Sequence, residues 1–154
     1  MDKLASDHPL TTDQQQTLKV LARLMIPASV EYQVPGADDD LIFADILGAV
    51  IPHHKVTRLV VEQLDDLAGS KFGTLSEPEA EQVAQRFRMS GSTLVGFVHA
   101  LVAMCYYRDD RVMRSLDMEP RAPYPEGFEV DEGDWSLLDP VRARSPMYRL
   151  PPEE

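Results

Sequence analysis

The distribution of proline limits how this chain can fold. Seven of its twelve prolines fall in the last 38 of 154 residues. Proline lacks a backbone N–H and fixes φ, so a segment this rich in proline forms neither a long helix nor a central strand. We therefore predict two parts, a compact domain over residues 1–116 and an extended arm over residues 117–154.

Residues 1–116 carry apolar side chains at helical spacing, separated by proline and glycine. Thr12 and Gln15 fit a capping box at the start of a first helix, which Pro27 ends. Further helices are predicted to begin near Asp38, His53, Ser76, Thr93 and either Asp109 or Asp110. Ser76 and Glu79 fit a second capping box, and Gly69 is the predicted end of the third helix. The second and third helices are predicted to bury two apolar stripes, Leu41, Ala44, Leu47 and Val50, then Val56, Leu59, Val60, Leu64 and Leu67.

No segment alternates as a strand would, and β-branched residues never cluster between turn signals. The fifth predicted helix, residues 93–107, is apolar almost all round. Such a helix normally lies at the centre of a bundle or is covered on both sides. The sequence therefore predicts an all-α fold, a small bundle of five to six helices with a proline-rich C-terminal arm.

Composition excludes several classes of protein. The net charge of −11 argues against a general nucleic-acid binder and against docking on an anionic membrane. No run approaches the roughly 20 apolar residues that cross a bilayer. The single cysteine, Cys105, excludes an intrachain disulfide framework and a cysteine-based zinc site.

The arm is rich in aromatic side chains that need cover, either from the helices of its own chain or from another protein. It holds four of the eleven aromatic residues, including the only tryptophan. Aromatic and arginine side chains carry much of the binding energy of protein interfaces. We therefore predict partner-binding residues in and beside the arm: Arg111, Arg121, Tyr124, Phe128, Trp135 and Tyr148.

Catalytic and metal-binding patterns are weak. His53 and His54 are adjacent, and neighbours on a helix point about 100° apart, so they rarely share a metal. The run Asp38 to Asp40 lacks the alternation of a calcium loop and is better explained as a helix cap. No glycine-rich phosphate loop or nucleophile elbow occurs. We expect no catalytic, cofactor-binding or metal-binding residue in this chain.

Two other hypotheses stay open. In one, the chain is a stand-alone enzyme or small-ligand binder that uses His99, Cys105 and Tyr106 in the bundle core. In the other, the chain associates with itself, and the arm of each copy covers its twin.

Several short stretches together resemble the gluconate 2-dehydrogenase subunit 3 family. The first helix runs into Met25-Ile26-Pro27, a loop contains Pro35-Gly36-Ala37, and a helix follows. Tyr106 to Val112 is similar to the stretch after the family's long apolar helix. The stretches Pro120 to Phe128 and Asp134 to Leu138 resemble the tails of some members. The resemblance covers about residues 12–140.

The resemblance implies a non-catalytic role. Members are small helical subunits that accompany and stabilise a large FAD-dependent dehydrogenase of the glucose–methanol–choline (GMC) type, which oxidises sugars or alcohols. On this basis FAD is expected in the partner and not in this chain, within a heterodimer or a larger hetero-oligomer. The first nine residues lack a basic start and an apolar core, which predicts a cytoplasmic location, or a periplasmic one if a leader has been removed.

Overall fold

A computed structural model describes residues 8–122, 124–129 and 132–145. Within these ranges the chain is all-α and has no strand, which confirms the predicted fold class. One isolated antiparallel bridge joins Ser29 to Val34 in the loop after the first helix. The chain divides into two compact units, Met1–Pro120 and Arg121–Glu154.

Six α-helices form the described part of the first unit. They are α1 (Thr12–Met25), α2 (Asp40–Val50), α3 (His54–Ala68), α4 (Glu77–Met89), α5 (Thr93–Tyr106) and α6 (Asp110–Ser115). One apolar core joins them, because α1 packs on α3 and α4, while α5 packs on α2 and α3. The second unit contains a 3₁₀ turn, Trp135–Leu138, that leads into α7 (Asp139–Arg142).

The first helix begins one residue earlier than predicted. Its N-cap is Thr11, which forms the capping box with Gln14, so the prediction of Thr12 and Gln15 is wrong. Leu10 just before the cap is 2% exposed. The side chain of Gln15 donates to the carbonyl of Leu10 at 3.0 Å and helps to fix the entry of the chain into the helix.

The predicted inward faces of α2 and α3 are each right only in part. Leu41 is 70% exposed and Ala44 is also exposed. Val50 is buried as predicted, and the other buried side chains of α2 are Ile42, Phe43 and Ile46, which were not predicted. In α3 the prediction is correct for Val60 and Leu64, whereas Leu59 is half exposed. Both helices have apolar side chains on more than one face. The buried face is the one whose side chains fit closely against the neighbouring helices.

Local signals placed the remaining helix ends correctly. Ser76 and Glu79 form the predicted capping box of α4. Gly69 ends α3 with φ of 66°, the left-handed conformation that favours glycine. Asp109 is the N-cap of α6.

A short turn between α3 and α4 completes the core, and no sequence pattern predicted it. The 3₁₀ turn Phe72–Thr74 packs on α1, α3 and α4, and Phe72 is fully buried. A Cβ on Gly73 would lie 2.9 Å from the backbone nitrogen of Thr17, so only glycine lets the turn approach α1 this closely. The carboxylate of Asp65 holds the turn by accepting the Phe72 N–H at 2.9 Å and the Lys71 ammonium at 2.8 Å.

Candidate partner-binding surface

The start of the arm is closed into a loop by Arg121. Its guanidinium donates to the carbonyl of Gly127 at 2.7 Å and lies 3.8 Å from the carboxylate of Glu126. The same group stacks over the ring of Phe128, 4.9 Å from its centroid. These contacts hold a turn that carries Tyr124 and Phe128. The side chain of Tyr124 is 87% exposed and that of Phe128 is 46% exposed. Two predicted partner-binding rings are therefore presented by an ordered loop.

Trp135 lies on a second ordered element of the arm. The carboxylate of Asp134 accepts the Ser136 N–H at 3.0 Å and the Ser136 hydroxyl at 2.6 Å. The Ser136 hydroxyl and N–H keep the pKa of Asp134 below its usual value, so the cap is charged at neutral pH. The side chain of Trp135 is 65% exposed. Tyr148, the remaining predicted anchor of the arm, lies outside the described residues.

Arg111 joins two helix starts within the first unit. Its guanidinium contacts Asp39 at 2.7 Å and Asp109 at 2.9 Å. Asp39 is the N-cap of α2 and Asp109 is the N-cap of α6. The hydrogen bonds from Arg111 lower the pKa of both carboxyls, and backbone N–H groups act in the same direction. The structure thus pairs Arg111 with acids of its own chain, and its role toward a partner stays a prediction.

The pairing of Arg111 with Asp39 and Asp109 makes the free energy of unfolding depend on pH in the acidic range. Because the pKa values of Asp39 and Asp109 are lowered in the folded state, their contribution is complete above the unfolded aspartate pKa of about 3.9 and is lost as pH falls through the folded values. We expect Arg111→Met to lower the free energy of unfolding by about 1 kcal/mol at neutral pH, after allowing for solvent screening. The difference should shrink near pH 3, as measured by urea unfolding at both pH values.

The matched control is Arg114→Met. Arg114 pairs with Asp110 at 3.1 Å, four residues apart on α6, and both side chains are 60% exposed. Such exposed pairs contribute roughly 0.3–0.5 kcal/mol, so this variant should change little at either pH. If Arg111→Met loses as little stability as the control, or if its loss does not change with pH, then Arg111 does not stabilise the fold by joining α2 to α6.

An open cleft of about 480 Å³ lies between α2 and the end of α5. The guanidinium of Arg108 binds the carboxylate of Asp45 across it, with contacts of 2.6 and 3.1 Å. Cys105 lies beside this pair, 1% exposed. Burial, followed by the charge of Asp45, raises the pKa of the Cys105 thiol to about 11, so the reactive thiolate form is disfavoured at neutral pH.

The three residues of the stand-alone hypothesis do not share one site. Tyr106 is buried and donates its hydroxyl to the carbonyl of Pro35 at 3.1 Å. Burial raises the pKa of this phenol. His99 is exposed, and it lines a separate apolar groove of about 520 Å³ formed by α1, α4 and α5. The geometry therefore offers no arrangement in which His99 serves Cys105 as a base.

The other candidate residues are engaged in local contacts. His54 is bonded through Nδ1 to the carbonyl of Ile51 at 3.0 Å, and His53 meets the ring of Phe97 edge-on. Asp40 binds Lys19 at 2.9 Å. Among residues 8–122, 124–129 and 132–145, no group of three or more histidine, cysteine or acidic side chains is placed to hold a metal ion.

One face of α5 is apolar and uncovered. The helix buries Val98, Leu101, Val102, Cys105 and Tyr106. Ala100, Met104 and Tyr107 follow one another at intervals of four and three residues, and all are exposed, with Met104 at 52% and Tyr107 at 57%. The expectation that α5 is covered on both sides is therefore wrong for the part of this chain that the structure describes. Ala100, Met104 and Tyr107 are not among the predicted partner-binding residues, although their helical spacing is a signal that the sequence contains.

No single helix in the described ranges is long and apolar enough to cross a bilayer, although α4 and α5 reach that length and composition together across a bend of 116°. Comparisons with protein-family models, with curated proteins and with solved structures find no match.

Proposed function

We propose that this chain is a non-catalytic small subunit that binds and stabilises a large FAD-dependent oxidoreductase of the GMC type, with the arm wrapped along that partner. The observation that carries the proposal is the exposure of the arm's rings on turns that are held by hydrogen bonds. Tyr124, Phe128 and Trp135 expose between 46% and 87% of their surface. An aromatic side chain buries about 150–250 Å² when fully covered, so three such rings are a large apolar surface for a chain this small.

The uncovered face of α5 supports the same proposal. A helix that is apolar all round is normally covered on both sides, and α5 is covered on one. The large subunit would supply the missing cover for Met104 and Tyr107 as well as for the arm. Permanent hetero-complexes bury about 2,000 Å² or more in total, an area that needs more than one contact surface.

The experiment is co-expression with a FAD-dependent dehydrogenase of the GMC type from the genome that encodes this chain. We expect the two chains to purify as one complex that carries flavin absorbance, and we expect the large subunit to lose solubility when expressed alone. FAD should remain with the large subunit when the two chains are separated under conditions that keep both of them folded.

The proposal fails if this chain purifies as a stable monomer and the dehydrogenase is equally soluble and active without it. Light scattering of the isolated chain tests the competing self-association hypothesis. A symmetric dimer that persists in the presence of the dehydrogenase would favour that hypothesis.

A further inference from the structure

We propose that the short helical segment 134–145 is the principal anchor of the arm, and that it enters an apolar groove on the large subunit with a fixed direction. This inference rests on the proposed function and adds to it the binding element, the kind of groove and the charges on its rim. Recognition of this kind, in which a helix places spaced apolar side chains into a groove, recurs among peptide-binding proteins.

The apolar side chains of this segment form two rows that are largely exposed. Residues three apart eclipse each other in a 3₁₀ turn, so Trp135 and Leu138 lie on one side. Leu137 and Val141, four apart where the turn becomes α7, form an adjacent row. The exposed fractions are 65% for Trp135, 40% for Leu138, 73% for Leu137 and 52% for Val141. Four large apolar side chains within seven residues therefore face solvent.

Local contacts preorganise the segment even though it is short. Helices of this length are marginal in water without help. Asp134 caps the turn through Ser136, and Arg142 pairs with Asp139 at 3.2 Å one turn away. Pro140 occupies the first turn of α7, where its missing N–H costs nothing. An element that is already helical loses less entropy on binding, which favours its use as an anchor.

Charge along the arm changes sign across the apolar segment. Five acidic residues and no basic residue lie between Glu126 and Asp134, namely Glu126, Glu129, Asp131, Glu132 and Asp134. Beyond Val141 come three arginines, Arg142, Arg144 and Arg149, before any further acid. A complementary groove therefore carries basic side chains beside the residues before Trp135 and acidic side chains beside Arg142 and Arg144. This polarity fixes the direction in which the arm lies.

The same charges disfavour a second copy as the occupant. The chain carries 26 acidic residues against 15 basic ones. The acidic stretch before Trp135 would meet another strongly acidic protein, and like charges placed together at an interface cost binding energy. A large subunit with a basic rim around an apolar groove fits the segment better.

The test uses the full chain labelled with 5-fluorotryptophan, which gives a single fluorine signal because Trp135 is the only tryptophan. The unlabelled probe is the same GMC-type dehydrogenase that is used for co-expression. We expect the signal to shift on addition of the dehydrogenase. The double variant Trp135→Ala and Leu138→Ala lacks the labelled residue, so its affinity is measured by calorimetric titration, and we expect it to bind at least 30-fold more weakly, as is typical for an interface hot spot.

Charge variants test the direction. Glu129→Lys with Glu132→Lys, and separately Arg142→Glu with Arg144→Glu, should each weaken binding about tenfold at low salt, and the losses should diminish at high salt. The matched control is Leu59→Ala, half exposed on α3 in the other unit, which should leave affinity within twofold.

The outcomes separate this inference from the proposed function. If the wild-type chain binds and the Trp135→Ala, Leu138→Ala variant binds equally well, the anchor is elsewhere and the inference is overturned while the proposed function stands. If the wild-type chain does not bind the dehydrogenase, both are overturned. A fluorine signal that shifts with the concentration of this chain alone would identify a second copy as the occupant and would also overturn the inference.

Discussion

Replacing Phe72 by alanine is expected to lower the free energy of unfolding by about 3–5 kcal/mol, the usual cost of removing a fully buried aromatic ring. Phe72 lies on the turn between α3 and α4, has no exposed surface, and fills the space where the turn meets α1, α3 and α4. Gly73 beside it brings the turn into backbone contact with α1, which leaves little room for collapse. The measurement is urea unfolding followed by circular dichroism.

Two further variants test whether the loss of stability comes from removing buried apolar volume at Phe72. Phe72→Leu keeps most of the apolar volume and should cost less than Phe72→Ala, because exchanges that preserve volume are tolerated best. Leu59→Ala removes a half-exposed side chain from α3 and should change stability by less than about 1 kcal/mol. A loss for Phe72→Ala no larger than that of Leu59→Ala would show that the turn does not belong to the core.

The helix ends were predictable because their causes are local. The Ser76–Glu79 capping box and the glycine at Gly69 act within one turn of helix, so the sequence around them is enough. The inward face of α2 was not predictable in this way. Almost every position of α2 is apolar, and the choice of Ile46 over Leu41 depends on which stripe the other helices can pack.

The candidate partner-binding surface could also be predicted from the sequence only in part. Composition alone indicated that the rings of the arm need cover, and the structure presents Tyr124 and Trp135 as exposed side chains. The partners of the arginines could not be predicted, because Arg111 meets Asp39 across 72 positions of sequence. Arg121 is closer to its contacts, but its stacking on Phe128 depends on a turn that proline content does not specify. Ion pairs between residues far apart in sequence can be identified only once the fold is known. The exposure of an aromatic arm could be predicted, because a short helical domain can cover little additional apolar surface.

Substituting glutamate for Met104 should abolish most of the affinity for the large subunit without destabilising the isolated chain. Met104 is 52% exposed at the centre of the uncovered α5 face, so a charge there remains hydrated in the free protein. In the proposed complex the same charge would be buried without a partner, at a cost of several kcal/mol. Since each 1.4 kcal/mol is a factor of ten, we expect affinity for the dehydrogenase to fall at least 100-fold.

Leu59→Glu is the matched control for this variant. It places the same charge on a half-exposed apolar position of α3, outside the α5 face, and should leave the affinity unchanged. Affinity is measured by calorimetric titration and stability by urea unfolding of each free variant. If Met104→Glu binds as well as the wild-type chain while the Trp135→Ala, Leu138→Ala variant does not, then the large subunit contacts the arm only, and the open face of α5 has another cause. Equal losses from Met104→Glu and Leu59→Glu would instead point to a general effect of added negative charge on a chain that already carries −11.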